Sequence, residues 1–173
     1  ETLTRATNWA DRTSAFLFGD GAGAVLVEAV PGDGSLLGWD LGVDGSLQPT
    51  LYADLGEGMV MKGQEVFRRA VRATVESAAN SLDRAKVSAD DIALFVPHQA
   101  NSRIMTAVAQ RLGITEDRVA SVIETTGNTS SASIPIALAD AAERGRLADG
   151  DVVLMAGFGA GMTWASAVWR WGA

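Results

Sequence analysis

Ile92-Ala93-Leu94-Phe95-Val96-Pro97-His98-Gln99-Ala100-Asn101-Ser102-Arg103-Ile104 changes its periodicity halfway along. Ile92 to Val96 is a short run of apolar, strand-forming residues, the pattern of a buried strand. Pro97 has no amide proton to continue a ladder, so the strand stops there. Ile104, Ala107, Val108 and Leu112 then recur at helical spacing. Gln99, Asn101 or Ser102 can cap that helix. His98, the only histidine in the chain, therefore falls where a parallel strand turns into a helix. In open α/β sheets that edge receives ligands. A lone histidine can equally be a satisfied structural residue, so at this point both readings stand.

Working outward, Gly113 closes the helix. Residues 119–123 read as a second buried strand, running into Glu124-Thr125-Thr126-Gly127-Asn128-Thr129-Ser130-Ser131-Ala132-Ser133. Ile136, Ala137, Ala139, Ala141 and Ala142 then predict a helix to about Gly145, with Pro135 in its first turn. Residues 151–156 form a strand reaching Gly157-Phe158-Gly159-Ala160-Gly161, and 162–171 form a last strand. On the N-terminal side, residues 62–82 are the clearest helix, with Val66, Ala70, Ala73, Val75, Ala78, Ala79 and Leu82 as its apolar stripe. Residues 44–58 are polar and punctuated by Gly and Pro, hence a loop. Leu36–Val43 reads as a strand after a turn at 32–34. Residues 14–18 and 24–27 read as two more strands around Gly19-Asp20-Gly21-Ala22-Gly23. A phosphate loop must open a helix, and this one opens a β-rich run. Close backbone packing is the better reading of those glycines. The element order predicts one layered α/β domain with helices between the central strands of its sheet.

The chain has 173 residues, 47% of them hydrophobic, enough for one globular core. No apolar run approaches the roughly 18 residues needed to span a bilayer. Residues 1–11 are polar and mixed, unlike a signal peptide. There is no cysteine, which excludes disulfides, thiolate metal sites and a cysteine nucleophile from these residues and is compatible with a cytoplasmic protein. The net charge of −7 argues against general nucleic-acid binding. The charge is uneven. Before residue 60, Arg5 and Arg12 face nine acids, whereas Lys62 to Arg118 holds nine cations. Either a basic patch for an acidic partner or a solvated helix face fits that distribution.

Three loops follow strands on one sheet edge: those at His98-Gln99-Ala100-Asn101, Thr126-Gly127-Asn128-Thr129 and 157–161. A neutral His offers one N–H and an Asn an NH2. Aimed at one point, they form a donor pair for a developing oxyanion. A glycine-rich loop adds backbone N–H groups that can approach a substrate closely. Glu124 is the one carboxylate in these loops, so a carboxylate-paired hydrolase is disfavoured, and one His without Cys is a poor metal site. The chemistry that suits the set is stabilisation of an enolate or tetrahedral oxyanion from a thioester or ester. Taken singly, Asn128 also fits a turn or cap residue, and residues 157–161 a hairpin turn.

Five stretches, in order, carry a resemblance: Phe18-Gly19-Asp20-Gly21-Ala22-Gly23-Ala24, Met61-Lys62-Gly63-Gln64-Glu65-Val66-Phe67, Val96-Pro97-His98-Gln99-Ala100-Asn101-Ser102-Arg103-Ile104, Thr126-Gly127-Asn128-Thr129-Ser130-Ser131-Ala132-Ser133-Ile134-Pro135 and Gly157-Phe158-Gly159-Ala160-Gly161. Together they resemble the C-terminal half of the β-ketoacyl-acyl-carrier-protein synthase III family of thiolase-fold condensing enzymes. The resemblance implies a thiolase-like layered α/β fold, with a five-stranded mixed sheet and flanking helices in this half. It implies a Cys-His-Asn site in which His98 and Asn128 hold the thioester oxygen of malonyl-carrier protein as it loses CO2. The enolate then attacks an acyl group, taken from acyl-CoA, on the cysteine. Ala160 matches the residue whose backbone N–H serves the oxyanion hole, although Gly is frequent there. Phe158 matches a residue lining the site, and Asn101 one that contacts the pantetheine arm. Arg103, Arg68 and Arg111 match the surface that docks the acidic carrier protein. Gln110 stands where some relatives have Lys, which weakens that patch.

The resemblance implies no cofactor, no metal, no nucleic acid and no membrane, a cytoplasmic homodimer, and a role in starting fatty-acid or polyketide chains. It places the cysteine in an N-terminal half that residues 1–173 do not include, so the chain is expected to be a fragment or a subunit completed by another chain. Two other expectations compete: acyl transfer to an alcohol or amine without decarboxylation, and a non-catalytic half that docks or dimerises.

Overall fold

A computed structural model describes residues 1–54 and 58–172. Residues 55–57, inside the expected 44–58 loop, and residue 173 lie outside the described residues. A four-stranded mixed sheet organises the chain, with residues 36–43, 163–170, 152–159 and 92–97 as neighbouring strands in that order. These are Leu36–Val43 (β1), Ile92–Pro97 (β4), Val152–Gly159 (β5) and Thr163–Arg170 (β6). β4 runs parallel to β5, and β6 is antiparallel to both β5 and β1. Leu51–Tyr52 (β2) and Val60–Met61 (β3) pair separately, within and just beyond the stretch expected to be loop.

Alternation along the two parallel strands loads both faces of the sheet. Ile92 and Phe95 of β4 and Leu154 and Ala156 of β5 meet Gly63–Ala85 (α1) and Ser102–Leu112 (α2). Leu94, Val96 and Val153 face Ser133–Glu143 (α4), through Ala137, Leu138 and Ala141. A one-turn helix, Ile123–Thr126 (α3), lies between. α2 ends at Gly113, left-handed at φ 74°, as the sequence predicts.

α1 departs from its expected stripe. Val71, Thr74, Ser77 and Ser81 are buried and Ala79 is exposed. The hydroxyls of Ser77 and Ser81 lie 2.8 and 2.6 Å from that of Ser166 on β6. A Cβ on Gly38 of β1 would sit 2.4 Å from the Ser81 carbonyl oxygen. Small residues therefore let the helix lie close on the sheet, and mutual hydrogen bonds satisfy the serines there. β1 is inverted in consequence. Asp40 faces inward, taking a hydrogen bond from Asn80 and pairing with Arg84 at 3.4 Å, while Trp39, Leu41 and Val43 are exposed.

Three expected strands are absent. Residues 14–18 form turns ending in a single bridge from Phe18 to Asn128, and 24–27 have no regular structure, with Leu26 87% exposed. A strand requires a neighbour for its ladder, and 24–27 pair with none of the described strands. Residues 119–123 contribute one bridge, Val119 to Phe95, so the sheet has four strands and not five. The physical reason is Gln99. Its fully buried amide donates to the Pro97 and Ala120 carbonyls at 2.7 and 3.2 Å and accepts from the Val122 N–H at 3.0 Å. A side chain does there what a ladder would have done.

Candidate active site

β4 delivers His98 to the carboxyl edge of the parallel pair, where its N–H donates to the Ala156 carbonyl of β5 at 2.8 Å. Phe158, two residues further along β5, stands edge-on to the imidazole, ring centroids 5.5 Å apart. Burial pushes the His98 pKa down to about 4, so the ring is neutral near pH 7 and carries one N–H. Ser133, at the start of α4, places its hydroxyl 2.7 Å from Nδ1.

Asn128 is held by the N-terminal segment. Its N–H donates to Leu17 at 2.8 Å and its carbonyl accepts from Gly19 at 2.9 Å. The glycine string packs here, as expected: a Cβ on Gly19 would lie 2.1 Å from the Thr126 carbonyl oxygen. The Asn128 side-chain oxygen accepts from the Ser130 N–H at 2.9 Å, which fixes the amide's orientation and leaves its NH2 to donate.

His98, Asn128, Phe158 and Ala160 line one cavity of about 880 Å³. Asn101, Arg103 and Arg68 line it too, so seven of the eight residues singled out from the sequence converge. The Asn101 side chain also caps α2 by accepting from Arg103 N–H at 2.9 Å. Arg111 stands apart from the cavity, in a neighbouring groove between α1 and α2 with Arg68 and Arg72. Arg68, Arg103 and Arg111 are exposed and form no ion pair among the described residues. The cavity walls are largely apolar, drawn from Phe16 and Leu17, from Tyr52 and Met61, and from Phe67 of α1. Sequence reasoning missed those walls: Phe16 and Leu17 lie in turns without periodicity, Tyr52 and Met61 in two-residue strands, and Phe67 beside the apolar stripe expected of α1. It also assigned no part to Ser133, and offered Gln99 only as a candidate helix cap, a place that Asn101 takes while Gln99 is buried. Among the described residues no cluster of His, Asp or Glu could hold a metal ion, and no helix is long and apolar enough to cross a membrane.

Comparison with known proteins matches residues 82–171 to the family model for 3-oxoacyl-acyl-carrier-protein synthase III, C terminal, and residues 1–45 to that for 3-oxoacyl-acyl-carrier-protein synthase III. The chain belongs to this synthase III family. It is 49% identical over 170 residues to the β-ketoacyl-acyl-carrier-protein synthase III of Listeria monocytogenes, covering 98% of this chain and 54% of the relative. The crystal structure of the synthase III from Aquifex aeolicus superposes with a TM-score of 0.94 at 41% identity, over 98% of this chain and 55% of that one. The priming β-ketosynthase of the R1128 polyketide pathway superposes at 0.83 with 34% identity, over 97% and 54%. The chain thus spans about half the length of the synthase III relatives it matches. Its fold is thiolase-like layered α/β.

Proposed function

We propose that the chain is the C-terminal part of a decarboxylating condensing enzyme that joins an acyl-CoA primer to malonyl-carrier protein and so starts a fatty-acid chain. The observation that carries this reading is a neutral imidazole and an oriented carboxamide lining one largely apolar cavity. In this reading malonyl thioester enters with its carbonyl oxygen toward the His98 Nε2–H and the Asn128 NH2. The C–C bond to the carboxylate breaks, CO2 leaves, and the electron pair becomes an enolate whose oxygen accepts both hydrogen bonds. Neutral donors suit this step: they stabilise the developing charge without giving up a proton. The enolate carbon then attacks an acyl thioester and expels a thiolate. These residues hold no cysteine, so the thiolate comes from sequence beyond them, an N-terminal half in the domain arrangement proposed here.

Phe158 excludes water from the imidazole, and the Ala160 backbone N–H serves the acyl oxyanion. Asn101 meets the pantetheine arm, and Arg103, Arg68 and Arg111 dock an acidic carrier protein. A cytoplasmic homodimer is part of the same reading. The likeness to a priming polyketide ketosynthase favours a second version, in which the same condensation primes a polyketide. The test is release of 14CO2 from labelled malonyl-carrier protein by the full-length enzyme. Replacing His98 or Asn128 by alanine should cut release about 10²–10³-fold, the usual cost of one oxyanion donor, and slow acylation of the cysteine much less. Unchanged release in the double variant would refute the assignment.

A further inference from the structure

Ser133 is 1% exposed, and its hydroxyl oxygen has two polar neighbours: the Gln99 backbone N–H at 3.1 Å and His98 Nδ1 at 2.7 Å. A hydroxyl has one proton and two lone pairs. The Gln99 N–H can only donate, so it takes one lone pair. If Nδ1 also carried a proton and donated, the Ser133 proton would be buried with no acceptor. An orphaned buried donor is disfavoured by roughly tenfold to a hundredfold in population. The arrangement that leaves nothing unpaired has Ser133 donating to a bare Nδ1.

We infer that Ser133 is a positioning residue that holds His98 in the tautomer protonated at Nε2, turning the ring's one donor away from α4 and into the cavity that Asn128 lines. The link is economical in chain terms. α4 begins five residues after Asn128, so the hydroxyl that sets the imidazole travels with the loop that bears the carboxamide. Its grip on the Gln99 N–H ties that loop to the end of β4. The consequence for decarboxylation rests on the enolate reading above; the tautomer does not.

The experiment is a long-range 1H–15N spectrum of the full-length protein labelled in its histidine rings, at neutral pH. The signals of His98 are identified by their loss in His98→Gln. The wild-type protein should show Nε2 protonated and Nδ1 bare. Ser133→Ala should give a mixture of tautomers and about a tenfold fall in kcat for CO2 release with little change in KM. Ser133→Thr, which restores the hydroxyl, should recover both. A wild-type ring protonated at Nδ1 overturns the inference without any variant. So does a Ser133→Ala spectrum that keeps the pure Nε2–H pattern. A tautomer that shifts in Ser133→Ala while CO2 release stays unchanged upholds the inference about Ser133 and refutes the enolate role of His98 instead.

Discussion

Replacing Gln99 by leucine should cost the protein about 2–5 kcal/mol of folding stability. The amide makes three hydrogen bonds, to Pro97, Ala120 and Val122, at a position with no exposure. Leucine fills similar space but pairs with none of them. The Val122 N–H loses its acceptor in a buried setting, about 1–3 kcal/mol. The two carbonyls lose a donor each, about 0.5–1 kcal/mol apiece because a carbonyl has a second lone pair. Total stability of a typical domain is roughly 5–15 kcal/mol, so a large part of it goes. In urea titration the midpoint should fall while the slope m is unchanged. A loss under about 1 kcal/mol would refute the view that Gln99 replaces a fifth ladder. Gln99→Glu adds a control of sign. The carboxylate keeps an acceptor for Val122 but faces two carbonyls, so its pKa rises above the unfolded value of about 4.3. That variant should be more stable at low pH and lose stability as pH rises through the raised pKa.

His98 sets a further pH dependence. Its pKa lies at about 4 when folded against 6.5 for the free side chain, so between those values the unfolded chain binds the proton and the native state does not. Stability should fall by up to about 3 kcal/mol as pH drops from 6.5 to 4, and His98→Gln should flatten that slope in denaturation curves taken across the range. Arg103→Glu should raise KM for carrier-protein substrates, more strongly at low salt; an unchanged KM removes it from the docking surface. Gly19→Ala puts a methyl against the Thr126 backbone oxygen, which has no rotamer by which to give way. It should displace Asn128, lowering kcat for CO2 release at least tenfold, and wild-type turnover would show that the Asn128 loop does not depend on this contact.

Much of the architecture is legible in the residues, and the failures have one cause. Leu36–Val43, Ile92–Pro97 and residues 152–156 are strands as expected, because each is bounded by turn or helix signals and finds a neighbour in the sheet. β5 also runs on through residues 157–159, expected to be loop, because β6 continues its ladder there. Residues 24–27 and 119–123 carry the same local pattern. It reports an extended apolar segment, not the presence of a partner. α1 misled in the opposite way: Ser77 and Ser81 look like solvent-facing residues until Ser166, more than eighty positions away, supplies their hydrogen bonds. The candidate site was readable where motif spelling marks it, at His98, Asn128, Phe158 and Ala160. Ser133 falls inside the 126–135 motif, whose spelling gives it no part. Its reach to an imidazole on another strand is a tertiary fact.

The sheet sets its outer strand, Leu36–Val43, against Thr163–Arg170, so Leu41 lies opposite Ala165 across roughly 120 intervening residues. Local helix formation at 63–85 can begin early, but this ladder has to wait for the last residues of the stretch. During synthesis the leading strand therefore waits for its mate with the backbone N–H and C=O groups of that edge unpaired. Shielding of a nascent segment, by a chaperone or by sequence made before it, is the burden that this order of strands imposes on the cell.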